Sequence, residues 1–183
     1  MYKNYKNSRD LAWQLIIEQR ITELPISVSK ICKNLDIAIK LYEPTDDNSG
    51  YSTIIDGEAI IFVSSRDLPE RQRFTAAHEL GHILLGHVGK YKLANREPSA
   101  TDNPIEQAAN VFASRLLAPA CVLWGCEVKN AEQIEQLCNI SKQSANYRME
   151  RMKILYKRNA FLKSPLERKV YDNFKNYIRN NKL

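Results

Sequence analysis

The chain has 183 residues, 44% of them hydrophobic and 26% charged, with a formal net charge of +6. That length suits one compact domain with a sizeable core or a domain with a small appendage, and the balanced composition excludes a wholly disordered chain. No apolar run approaches the roughly 18 residues a membrane span needs, and the N-terminal MYKNYKNSRDLAWQLIIEQR lacks a secretion signal's apolar centre, so a cytoplasmic protein with no membrane contact is expected.

In chain order, Ser8 is expected to cap a first helix reaching about Arg20, with Leu11, Leu15 and Ile16 on one face. A short second helix follows Ser27, burying Val28, Ile31, Cys32 and Leu35. IAIKLYEP then reads as a strand and PTDDNSG as a turn. YSTII-DG-EAIIFVSS is a β-hairpin signal, because Asp56-Gly57 suits a turn that needs positive φ. A small antiparallel sheet is therefore expected mid-chain. Asp67 and Glu70 predict a capping box for a helix running to about Leu85 and ended by Gly86. After the loop GKYKLANREPSATD, Asn103-Pro104 opens a helix that stops before Pro119. Helices near 131–138 and 142–153, and a last one from Ser164-Pro165 to about Arg179, complete the pattern.

All three histidines fall within FTAAHELGHILLGH, residues 74–87. His78-Glu79-Leu80-Gly81-His82 is an HExxH sequence inside a predicted helix, the context that gives the pattern meaning. At about 100° per residue, His82 lies about 40° from His78 and one turn on, so both imidazoles reach one ion. Glu79 points about 100° away, where it can approach a water at the metal without joining the ligands.

Two histidines do not complete a zinc site, and the third ligand has two candidates. His87 fits poorly: HExxHxxGxxH needs a histidine at 88, and on a continued helix His87 would point about 180° from His78. A helix-end histidine or a substrate contact suits it better. Glu106, in NPIEQAANVFASRLLAP, lies beside the stripe Ile105, Ala109, Phe112 and Leu116, one turn before Asn110 on the same face. A carboxylate ligand followed by an amide that orients a histidine ring fits that pair. A capping box with Asn103 also accounts for Glu106, although a mid-helix Asn110 on the buried side needs a partner.

RQRFTAAHELGHILLGH followed by IEQAANVFASRLLAP resembles the ImmA/IrrE metallopeptidases, over roughly residues 8–150 including the hairpin. The resemblance implies an α+β, zincin-like fold in which a small sheet packs against the HExxH helix. It implies one zinc per chain held by His78, His82 and Glu106, with Glu79 as catalytic base; Asn110 behind a ligand is the reading of the helix spacing. It also implies cleavage of helix-turn-helix repressors of mobile elements or stress regulons. His87, Tyr91, Arg71 and Arg73 are candidates for oxyanion or substrate contact by their nearness in sequence. The strand around Ala59–Ser64 is expected to offer an edge to an extended substrate.

Two parts are expected: a zincin-like core over 1–125 and a helical region over 126–183 packed on it. Residues 151–183 carry ten Lys/Arg against two Asp/Glu, so the positive charge belongs to the tail. IEQLCNISKQSANYRMERMKIL, within a helix-turn-helix-like stretch 134–155, and the basic amphipathic helix 164–180 sustain a competing expectation. In it the chain is a DNA-binding regulator, through Lys142, Arg148 and Arg151, or sequesters a repressor without cutting it, any zinc being non-catalytic. Against it, Leu166, Val170, Phe174 and Ile178 fall at the spacing of a packing face. Cys32, Cys121, Cys126 and Cys138 form no CxxC pair and read as buried thiols.

Overall fold

The computed structural model describes residues 2–88 and 103–183. Its elements are α1 (Tyr2–Glu18), α2 (Val28–Asn34), β1 (Ala38–Tyr42), β2 (Gly50–Ile55), β3 (Glu58–Ser64), α3 (Pro69–Leu84), α4 (Pro104–Leu117), α5 (Ala120–Gly125), α6 (Ala131–Cys138), α7 (Lys142–Lys157), α8 (Pro165–Asn173) and α9 (Lys175–Asn180). The fold is α+β. Its contacts form two compact units, one holding the chain up to Arg9 with Ser27–Ala113, the other Asp10–Ile26 with Ser114–Leu183. Segment 114–125, expected from the sequence with the N-terminal part, groups with the C-terminal helices. The physical reason is Gly125: a Cβ there would lie 2.8 Å from Tyr171 and 2.9 Å from Ile178, so α5 is pressed onto the tail helices.

In the first unit, Asp56 (φ 52°) and Gly57 (φ 84°) turn β2 back onto β3, with Ser52 opposite Ile61 and Tyr51 opposite Phe62. β1 pairs parallel to β3, Ile39 opposite Ile61, which makes the sheet mixed rather than wholly antiparallel, in the order β1-β3-β2. The strand Ala59–Ser64 is therefore central. Hydrogen-bonded on both sides, it offers no edge to a substrate, and the outer strands are β1 and β2. The run AIIFV carried the signal, because a strand covered on both faces loses the polar alternation of a half-buried one.

One face of the sheet carries Tyr51 stacked on Phe62 at 4.8 Å with Tyr42 edge-on to Tyr51. On the other face β2 runs close along α3. Gly50 permits this, since a Cβ there would stand 2.5 Å from both the Phe62 carbonyl oxygen and Thr75 Cγ2. The expected Asp67 capping box does not form: Pro69 takes the first helical position, so Leu68 becomes the N-cap and Asp67 pairs with Arg71 at 3.2 Å instead. Asn103 does cap α4, its Oδ1 accepting from the Ile105 amide at 2.9 Å. Phe112 of α4 lies under Gly81, where a Cβ would be 2.9 Å from its ring. Glycine inside HELGH thus lets α3 and α4 approach closely.

In the second unit, Asn130 and Gln133 close a capping box on α6, Asn139 turns through φ 49°, and Ser141 caps α7. Arg148, expected to face solvent as a DNA contact, is only 2% exposed and donates from Nε to the Ala118 carbonyl at 2.7 Å. It shares its helix face with Ala145, Met149 and Met152, which are also buried. Arg148→Ala is expected to destabilise the fold by about 2–4 kcal/mol, because it removes a charge-assisted bond and a large buried side chain. Thermal unfolding checks this, and an unchanged midpoint would contradict it. The expected last helix breaks at Phe174 into α8 and α9, with Val170, Phe174 and Ile178 buried as a packing face. All four cysteines are buried and none is in a disulfide, and burial pushes Cys32 to about 12 and Cys126 to about 11. Among the described residues, Pro104–Gly125 is the one helical stretch long and apolar enough to cross a membrane, and 78% of its apolar window is buried.

Candidate metal centre

The centre lies within the first unit, between α3 and α4. His78 and His82, one turn apart on α3, bring their Nε2 atoms within 3.0 Å of each other. Glu106, in the first turn of α4, spans the pair, with Oε2 at 3.1 Å from His78 Nε2 and Oε1 at 3.3 Å from His82 Nε2. Its side chain is turned to the histidines, and its carboxyl is held well below the ordinary carboxylate range by the hydrogen bonds of His78 and then His82. A tetrahedral ion with bonds of about 2.0–2.1 Å spaces its ligands about 3.3–3.4 Å apart. The two nitrogens, 3.0 Å apart, and the Glu106 carboxylate, whose two oxygens stand 3.1 and 3.3 Å from them, are close enough together to surround one zinc-sized ion.

The far nitrogens agree with that fit. If each Nε2 directs its lone pair at a metal, each ring carries its proton on Nδ1 and needs an acceptor there. His78 Nδ1 lies 2.9 Å from Asn110 Oδ1, one turn after Glu106. His82 Nδ1 lies 3.0 Å from Nδ1 of His87. The positive φ of Gly86, 70°, turns the chain past the helix end and brings His87 back to His82. His87 must then accept at Nδ1 and stay neutral. Burial and the neighbouring His82 lower its pKa, in the direction that favours this form. This contact sets the His87 ring against the far nitrogen of His82. His87→Ala is expected to weaken zinc binding by about 10- to 100-fold while leaving a site that fills at excess zinc. Competition with a chromophoric chelator measures this, and wild-type affinity in the variant would contradict it.

Glu79 is fully buried, and one of its carboxylate oxygens lies within 4.8 Å of the ligand nitrogens of both His78 and His82. It is near enough to reach a water on an ion held between the two nitrogens, while the Glu106 oxygens stand 3.1 and 3.3 Å from them. Ser52 of β2, 3% exposed, donates to Glu79 Oε2 at 2.8 Å. Sequence reasoning missed Ser52. Its signal was faint, a small polar residue two positions from Gly50 on one face of the hairpin.

The remaining candidates separate. Arg71 stands two turns before His78, exposed, and engages Ser49 at 3.0 Å and Asp67 at 3.2 Å. Arg73 is half-buried on α3, about 140° round the helix from His78. Tyr91 lies outside the described residues.

The profile of the IrrE N-terminal-like domain, Peptidase_M78, matches residues 32–150, which is more than half of the chain and includes every residue of the centre. The radiation response metalloprotease IrrE of Deinococcus radiodurans is 31% identical over 99 residues, covering 48% of this chain and 30% of that protein. Its namesake from Deinococcus deserti is 41% identical over 66 residues, covering 33% of this chain and 23% of that protein. The chain thus spans less than a third of the length of these relatives. Because the family match includes both the HExxH helix and the helix that carries Glu106, the chain belongs to the IrrE N-terminal-like family of metallopeptidases.

Proposed function

We propose that this chain is a zinc-dependent endopeptidase, with His78, His82 and Glu106 as metal ligands and Glu79 as general base. The observation that carries the reading is the convergence of two imidazole nitrogens and the Glu106 carboxylate, at separations of 3.0–3.3 Å, with a second carboxylate, Glu79, beside them. When bound, zinc supplies Lewis acidity, lowering the pKa of water and polarising a carbonyl. Glu79 takes a proton of the attacking water as the new C–O bond forms and then passes it to the departing amine nitrogen as the C–N bond breaks. Asn110 and His87 hold the two imidazoles in the tautomer that leaves Nε2 unprotonated.

The substrate class that suits this reading is a cytoplasmic helix-turn-helix repressor, in keeping with the implication of the ImmA/IrrE resemblance. The four buried thiols, none in a disulfide, favour the same compartment. Direct DNA recognition is supported less well. Arg148 is buried, and Lys175 and Lys182 of the tail pair with Asp172 at 2.6 Å and Glu127 at 2.9 Å. Incubating the zinc-loaded chain with purified helix-turn-helix regulators from its own genome, with fragments read by mass spectrometry, tests the proposal. A regulator cut at one bond supports it. Binding of a regulator without any cleavage supports sequestration instead.

A further inference from the structure

We propose that Ser52 is a positioning residue for Glu79, anchoring the base carboxylate so that it faces the site of water attack; this rests on the peptidase reading above. Glu79 needs such an anchor. Its side chain has three rotatable bonds, and it leaves α3 about 100° away from His78, on the side where β2 runs. It is fully buried, so its orientation depends on the polar groups packed against it. The hydroxyl of Ser52, itself 3% exposed, supplies one of them at 2.8 Å.

The contact follows from how β2 lies on α3. Gly50 meets Thr75 so closely that no side chain fits between them. Two residues along a strand advance about 6.8 Å and four along a helix about 6 Å, so the next near-approach falls at Ser52 and Glu79. A short side chain suits position 52, which is buried with its hydroxyl on Glu79. One with no hydroxyl would leave the carboxylate without this donor. Serine meets both demands, and the outer strand β2 thereby controls the aim of the base.

The test uses acetohydroxamate, a zinc chelator whose hydroxyl proton is taken up by a carboxylate placed beside the metal. Wild type, Ser52→Ala, Ser52→Cys, Glu79→Gln and the double variant Ser52→Ala/Glu79→Gln are loaded with zinc. Zinc affinity and acetohydroxamate affinity are then measured by calorimetry. Ser52→Ala is expected to keep wild-type zinc affinity and to bind acetohydroxamate about tenfold more weakly, as loss of a hydrogen bond to a charged group implies. Ser52→Cys, close in shape but a weak donor, should fall between the two. On the Glu79→Gln background the Ser52→Ala change should have no further effect, because glutamine cannot take up the hydroxamate proton wherever it is aimed.

Wild-type acetohydroxamate affinity in both Ser52 variants overturns the proposal, and so does an equal loss with and without Glu79. In those outcomes a weakened Glu79→Gln variant still upholds the peptidase site. A wild-type chain that holds no zinc rejects the peptidase reading and the role of Ser52 with it.

Discussion

Replacing Glu79 with glutamine is expected to abolish peptide cleavage while leaving one zinc per chain. Glutamine keeps the length and nearly the shape of the side chain, and its amide oxygen still accepts from Ser52. It cannot take a proton from water at neutral pH. Loss of a positioned general base lowers kcat by about 10²- to 10⁴-fold, so the residual rate should lie near the detection limit of a gel assay. Substrate binding should survive, and capture of uncut substrate by the variant would separate a peptidase from a sequestering protein. Cleavage at the wild-type rate would remove Glu79 from the mechanism.

Glu106→Ala should remove the metal. The buried carboxylate touches both imidazoles, at 3.1 and 3.3 Å, and alanine leaves two neutral ligands and no negative charge to balance the ion. The loss of affinity should exceed the roughly 10- to 100-fold that follows removal of a residue behind a ligand, because a bond to the ion itself is gone. The metal-free protein should also lose stability. Its Glu106 carboxyl is held low by hydrogen bonds from His78 and His82. A depressed carboxylate pKa contributes stability at pH above the unfolded value of about 4.3, and that stability is lost only as pH falls through the folded value. The variant's lower unfolding midpoint should therefore be plain at neutral pH and should shrink towards strong acid. Elemental analysis after dialysis, with unfolding scans across pH, checks both parts. Zinc retained at wild-type affinity in Glu106→Ala would assign the third ligand elsewhere.

Much of this centre was legible in the sequence because it depends on helical spacing. His78 and His82 are one turn apart on α3, and Glu106 and Asn110 one turn apart on α4, so each pair could be placed on a face without knowing how the helices meet. What brings the pairs together is Gly81 against Phe112, a contact between helices that no local pattern reports. His87 reads as a helix-end histidine, and its partner depends on the turn that follows. Extrapolating the helix sends it to the far side, whereas the turn at Gly86 returns it to His82 at 3.0 Å. The hairpin was readable from Asp56-Gly57, but β1 joins β3 across an intervening strand, and a parallel pairing of that kind leaves no turn signal. Arg148 reads as surface charge in composition. Its burial is a tertiary fact, set by the Ala118 carbonyl some thirty residues away.

The most direct test of the central claim is anomalous diffraction at the zinc edge from crystals of the zinc-loaded protein. A single strong peak about 2.0–2.2 Å from His78 Nε2, His82 Nε2 and a Glu106 oxygen, with Glu79 outside bonding distance, is the predicted result. A peak bonded to Glu79 in place of Glu106, or no peak between α3 and α4, would contradict it.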